Sequence, residues 1–275
     1  MKPLVLTAQD GAQAEISPYG SQVLSWRPAV QEREQLFLTP RSLWMSDRPI
    51  RGGVPVIFPQ FGSLGSSLKH GFARVSDWQP IAVGTAADGA GQAILHLRDS
   101  PATRAWWPHP FTAEVHLRVG GDTLRIELRI ENTGQEKFAF TAALHTYLRV
   151  DDIAHTRVAG LQGLRYRDAV SGTDDCLESS DALAIRGEVD RIYFDSRRPL
   201  LVSSPGNGVA IEASGFRDTV IWNPGAERTR AFPDLAPEDY QHLLCVEAAA
   251  IGTPIALNPG EEWRGTQVLR AEPGF

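Results

Sequence analysis

Residues 137–150 read Lys-Phe-Ala-Phe-Thr-Ala-Ala-Leu-His-Thr-Tyr-Leu-Arg-Val, and their apolar members recur with the two-residue period of a strand. Successive strand side chains point to opposite faces, so Phe138, Phe140, Ala142, Leu144, Leu148 and Val150 share one face, with Thr146 its only polar member. The other face carries Ala139, Thr141, Ala143, His145, Tyr147 and Arg149. A bulky apolar wall on one side and an imidazole among small residues on the other describe a strand with its back in a core and its front lining a hollow. His145 is thereby the first candidate for chemistry, set against the plainer reading of a structural histidine hydrogen-bonded at a sheet surface.

Upstream, Leu124, Ile126, Leu128 and Ile130 alternate with Arg125, Glu127, Arg129 and Glu131, and Gly120-Gly121-Asp122 links this run to a similar one over residues 112–119. The pair predicts a hairpin with one face in the core and a solvated charged face. Shorter strands are expected over residues 4–7, 14–16, 22–26, 210–213 and 219–223, and a last one running through Leu269. Residues 168–181 read as a polar loop, and residues 234–242, where Pro237 precedes two acids, as the one helix. Such a series of short strands and turns predicts an all-β chain, a large antiparallel β-sandwich with few short helices. All 275 residues are expected to form a single domain, a size that sandwiches routinely reach.

A formal charge of −6 argues against nucleic acid as a partner, because binding to a phosphate backbone needs a basic face. Residues 1–4 are not followed by the apolar run of a signal peptide, and no 18 consecutive apolar residues occur to cross a membrane. A soluble, cytoplasmic protein is expected, a monomer whose partner is a small molecule. Cys176 and Cys245 offer neither a disulfide framework nor metal spacing, and His96, His109 and His116 stand singly. Neither a metal nor a cofactor is predicted.

Three further stretches bear polar groups in suggestive places. Residues 51–62, Arg-Gly-Gly-Val-Pro-Val-Ile-Phe-Pro-Gln-Phe-Gly, punctuate an apolar run with two glycines and two prolines before the final glycine, and read as an irregular loop pressed against a core. The loop lacks the Gly-Lys-Ser/Thr of a nucleotide P-loop, which leaves Arg51 as a plausible anion contact. Residues 69–74, Lys-His-Gly-Phe-Ala-Arg, would set His70, Phe72 and Arg74 on one face if extended, either as a ligand-binding row or as an exposed edge strand. Glu247 sits inside the apolar run 243–251, on one face with Cys245 and Ala249 and opposite Leu244, Val246 and Ala248. An ionised carboxylate alone in a core is costly, so Glu247 must front a cavity or be paired. Asp190 heads a short strand, as a turn-former or a ligand for sugar hydroxyls.

Together, residues 51–62, His70-Gly-Phe-Ala-Arg74, Leu144-His-Thr-Tyr-Leu148 and Cys245-Val-Glu-Ala-Ala249 resemble the hexose-6-phosphate mutarotase branch of the aldose 1-epimerase, galactose mutarotase-like, family. The resemblance spans nearly the whole chain, including the turn at Pro259-Gly260-Glu261. It implies a sugar site on one concave sheet face, with His145 as general acid and Glu247 as general base. It also implies that Arg51 and Arg74 contact a phosphorylated sugar and Asp190 its hydroxyls, with Gln60, Lys69 and His70 completing the substrate contacts. Lys69 stands where relatives often have glutamine. Opening a cyclic hemiacetal needs a base at the anomeric hydroxyl and an acid at the ring oxygen, and groups with reference pKa values of about 4.3 and 6.5 suit those tasks. A mutarotase for free aldoses and a non-catalytic carbohydrate-binding module are the alternatives, and a binding module has no use for an acid–base pair set in two strands.

Overall fold

The computed structural model describes residues 2–31, 33–41, 48–65 and 67–273. Among them the named strands form three antiparallel sheets. A small sheet holds Leu4–Thr7, Gln13–Ser17 and Gln22–Arg27. The front sheet runs in the order Thr173–Leu177, Arg165–Asp168, Val189–Tyr193, Asp218–Asn223, Leu243–Leu257, Phe138–Leu144 and Val56–Ile57, with Tyr147–Arg149 also paired on Leu243–Leu257. The back sheet has nine strands, with Glu262–Glu272 near its middle between Asn207–Ser214 and Thr123–Asn132. The two large sheets share one apolar core, in which Phe140, Leu144, Val246 and Ala248 of the front sheet join Leu124, Ile126, Leu128 and Ile130 of the back. Each of those last four is at most 1% exposed, and each contributes on the order of 1.5–3 kcal/mol by leaving water. The sandwich expected from the alternation is present.

The stretch 137–150 keeps its two faces but is not one continuous strand. It breaks at His145 and Thr146, where the loop of residues 53–55 takes over the pairing: His145 N–H donates to Pro55 O and Tyr147 N–H to Gly53 O. The strand break thus ties the His145 backbone to the loop of residues 53–55. The punctuated run 51–62 contributes only the two-residue edge strand Val56–Ile57, as its prolines require.

Three expectations need correction. Residues 234–242 form no α-helix but a single 3-10 turn, Asp239–Gln241, because the Asp239 carboxylate accepts from Ala236 N–H at 2.7 Å and closes the chain around Pro237. The short α-helices lie instead at Pro101–Trp106, started by a reciprocal Ser100–Thr103 capping box with proline at the first position, and at Gly225–Thr229. The polar loop 168–181 contains the strand Thr173–Leu177, which pairs with Arg165–Asp168 and carries Cys176. The charged face of the central hairpin is not simply solvated, since Glu127 is 8% exposed and lies 2.6 Å from both Arg125 and Arg129. Burial alone would raise that carboxyl, but the two guanidiniums overcome it and hold Glu127 below the usual carboxylate range.

Candidate active site

The front sheet and the loops over it enclose a hollow of about 370 Å³, a size suited to a small ligand. Its floor is made by side chains that alternate outward from the core: His145 and Tyr147 at the strand break, Glu247 from Leu243–Leu257, Val220 and Trp222 from Asp218–Asn223, and Asp190 and Ile192 from Val189–Tyr193. His145 Nδ1 lies 3.3 Å from Glu247 Oε1, with side chains 11% and 1% exposed. The approach lacks hydrogen-bond geometry, and both His145 Nδ1 and Glu247 Oε2 are without a hydrogen-bond partner among the described residues. Buried polar atoms left unmatched at the floor of a hollow make this pair the candidate ligand contact. The imidazole is held flat by Tyr147, whose ring stacks on it at 4.7 Å and 9°, and Trp222 meets it edge-on at 6.3 Å.

Burial sets the protonation of this pair. Desolvation, aided by His70, Arg74 and Arg51, pushes His145 well below the ordinary imidazole value. Desolvation, aided by Asp190 and opposed by Arg74, pushes Glu247 well above the ordinary carboxylate value. Both shifts favour a neutral imidazole beside a protonated carboxyl. That state and the imidazolium–carboxylate ion pair hold the same number of protons, so one proton transfer interconverts them. Asp190 is likewise raised, by burial and then by Glu188, against the pull of Arg228 and Lys69.

Among the described residues, five cationic side chains, Arg51, Lys69, Arg74, Arg167 and Arg228, line the hollow against two acids, Asp190 and Glu247. Arg51 Nε binds Asp234 at 3.1 Å, its Nη1 reaches the Tyr147 hydroxyl at 3.3 Å, and its guanidinium lies 4.7 Å over the Phe232 ring. Although burial works against its charge, Tyr147 and Asp234 more than compensate and raise it further. Arg74 spends Nη2 on the Lys69 carbonyl at 2.7 Å, while its buried Nε has no partner among the described residues. Burial and Arg51 lower it to about 10, which still leaves it charged at neutrality.

The segment 69–74 is not extended, so its three side chains do not share a face. His70 and Gly71 both take left-handed conformations, φ +65° and +71°, and Ala73–Val75 turns into a 3-10 helix. His70 and Arg74 enter the hollow, while Phe72 points into the core against Phe58 and Phe111. His70 Nδ1 accepts from Gly62 N–H at 3.3 Å, which leaves Nε2 to carry the proton. Burial and then Arg74, Lys69 and Arg51 push its pKa down to about 3. Gln60 lies off the hollow, its amide donating to Gly62 O and accepting from Ser67 N–H, and so shapes the loop that carries His70. Of the predicted site residues the fold thus gathers His145, Glu247, Arg51, Lys69, His70, Arg74 and Asp190 around one cavity, with Gln60 behind them.

The sequence reading missed Tyr147, Trp222, Phe232, Asp234, Arg167 and Arg228. Tyr147 was within reach, two residues from His145 on the same strand face. Trp222 sits opposite Cys245 across two strands, and Asp234 meets Arg51 from a distant turn, pairings that no local pattern announces. Among the described residues no group of three or more His, Cys, Asp or Glu side chains could hold a metal ion.

The aldose 1-epimerase family model matches residues 3–270. A protein of Cenchrus ciliaris named "Putative glucose-6-phosphate 1-epimerase" is 35% identical over 284 residues, covering 99% of this chain and 85% of that protein. An Escherichia coli K12 protein of the same name is 32% identical over 250 residues, covering 90% and 82%. The crystal structure of a "putative mutarotase" from Salmonella typhimurium superposes with a TM-score of 0.87 at 29% identity, covering 95% of this chain and 88% of that one. One family thus accounts for the match along nearly the whole length and for the sandwich, and this chain belongs to the aldose 1-epimerase family.

Proposed function

We propose that the protein interconverts the α and β anomers of a hexose 6-phosphate, glucose 6-phosphate foremost, by acid–base opening and closing of the sugar ring. The observation that carries this reading is the buried His145–Glu247 pair, 3.3 Å apart, in a hollow lined by five cations. An epimerase of free sugars needs the pair but not the cations, and a chain of net charge −6 that gathers them in one cavity has a use for an anion there.

With the cyclic sugar bound, His145 in its protonated form donates to the ring oxygen O5 and ionised Glu247 accepts from the anomeric O1–H. As the C1–O5 bond breaks, its electron pair leaves on O5, which takes the proton of His145. Glu247 takes the O1 proton as the C1=O1 double bond forms. The open-chain aldehyde then lies beside a neutral imidazole and a protonated carboxyl, the arrangement that burial of the pair favours. Low polarity thereby stabilises the ring-opened complex, where both charges have vanished. Rotation about C1–C2 presents the other carbonyl face, and the same transfers run backwards. Phosphate beside Arg51 and Arg74 offsets the two cations that depress His145, and so prepares the imidazole to carry its proton. Asp190 and the His70 Nε2–H are placed to hold sugar hydroxyls.

The test is NMR exchange spectroscopy of anomers for glucose 6-phosphate beside free glucose and galactose. A kcat/KM higher by about tenfold or more for the phosphorylated sugar is expected, the worth of one charge-assisted contact of about 1.5–3 kcal/mol. Equal rates would move the free-aldose reading ahead, and binding without exchange the lectin reading.

A further inference from the structure

Two polar side chains occupy positions that the strand alternation reserves for apolar ones. Thr146 lies on the core face of the 137–150 stretch, and Gln267 shares the core face of Glu262–Glu272 with Leu269 and Ala271. Both are 0% exposed. They meet across the sandwich: the Thr146 hydroxyl donates to Gln267 Oε1 at 2.5 Å, and Gln267 Nε2 donates to the Val246 carbonyl at 3.1 Å. Val246 N–H in turn donates to the Thr146 carbonyl at 3.0 Å.

An amide sunk in a hydrocarbon core is disfavoured unless fully bonded, and an apolar side chain there would serve packing better. Its location is therefore informative. One bond ends on the residue that follows His145, the other on the residue that precedes Glu247. At this point the front sheet lacks a regular ladder, since His145 and Thr146 fall in the gap between Phe138–Leu144 and Tyr147–Arg149. The spacing of imidazole and carboxylate is set across that gap. We propose that Gln267 and Thr146 are positioning residues, a clamp from the back sheet that fixes the separation of His145 and Glu247. The proposal rests on reading His145 and Glu247 as the acid–base pair.

The variants are Thr146→Val, which keeps the shape and removes the hydroxyl, Thr146→Ser, which restores it, and Gln267→Met. Leu95→Ala, in the back-sheet strand Gly91–Arg98 and not among the residues that line the hollow, serves as the core variant for comparison. Steady-state anomer exchange on glucose 6-phosphate gives kcat and KM for each, at a temperature well below every measured Tm. Thr146→Val and Gln267→Met are expected to lose kcat by about tenfold or more with KM held within about twofold, since small misplacements of reacting groups carry costs of this order. Thr146→Ser should retain the wild-type kcat, the double variant should be no worse than the poorer single one, and Leu95→Ala should lower Tm alone. Wild-type kcat in Thr146→Val, or an equal kcat loss in Leu95→Ala, would overturn the clamp. Thr146→Val decides the matter if Gln267→Met fails to fold. His145→Ala and Glu247→Gln assayed alongside separate the two ideas: full activity in them removes the acid–base reading and the clamp together, whereas their loss with intact clamp variants removes the clamp alone.

Discussion

On the proposed mechanism the pair at the floor of the hollow works with one proton between two sites, and that fixes its response to substitution and to pH. Removing either partner leaves the sugar with an acid or a base but not both. His145→Ala and Glu247→Gln should each lower anomer exchange by about 10²-fold or more with the fold intact by circular dichroism, since a positioned proton-transfer group contributes about 10²–10⁴. Near-wild-type exchange in either would remove that residue from the mechanism. The pair is active only with its single proton, so kcat/KM should trace a bell. Its acid limb, where a second proton is added, should lie below 6.5 because His145 is depressed, and its alkaline limb above the ordinary carboxylate range because Glu247 is raised. Arg74 acts on a different quantity. On the proposed reading Arg74 is the stronger phosphate reader of the two arginines, since its buried Nε has no partner among the described residues while Arg51 is engaged by Asp234 and Tyr147. Arg74→Ala should raise KM for glucose 6-phosphate by the equivalent of about 2 kcal/mol while sparing free glucose, and lysine there should restore only part, lacking the planar fork. A uniform effect on both sugars would make Arg74 a structural residue.

At the scale of elements, the chemistry depends on loops packed over a sheet. The turn at Gly71 passes so close to the loop of residues 51–62 that a Cβ there would lie 1.9 Å from the Phe58 carbonyl oxygen, at a φ of +71° that side chains avoid. Gly71→Ala should cost about 2 kcal/mol or more in urea denaturation, and should cut turnover further by shifting His70 and Arg74 together. A variant with unchanged midpoint and rate would show that the turn yields without consequence. The same turn explains where the sequence was legible and where it was not. Period-two alternation over 124–131 and 138–150 placed the apolar side chains of both runs in the core and set His145 on the opposite face, because a strand's faces follow from spacing alone, but it left Glu127 in solvent where two arginines bury it. The 69–74 segment defeated that logic, since two successive left-handed residues send Phe72 to the core and His70 and Arg74 to the hollow. Gln267 was invisible for another reason: its partners lie 121 and 21 residues away, and nothing within its own strand distinguishes it from a surface glutamine.

At the scale of the whole molecule, building this hollow means burying histidines without their protons, and stability should record it. His70 has an ordinary value of 6.5 in the unfolded chain and about 3 in the folded one. Below pH 6.5 the unfolded chain takes up a proton that the native state refuses, so the unfolded state gains. The stabilisation is fully present above 6.5 and is lost progressively as pH falls toward 3. His145 acts in the same direction, and Glu247, raised in the native state, acts in the opposite one above 4.5, so the coupled pair largely cancels between those values. His70 is left uncompensated. Asparagine accepts the left-handed backbone at this position and can take the Gly62 N–H in place of Nδ1, so His70→Asn should fold. Urea denaturation between pH 4 and 6 should then show wild type losing about 1.4 kcal/mol more per pH unit than His70→Asn, the linkage slope of one proton. Parallel curves for the two proteins would mean that His70 is protonated in the native state, and would withdraw it as a neutral hydrogen-bond donor to the sugar.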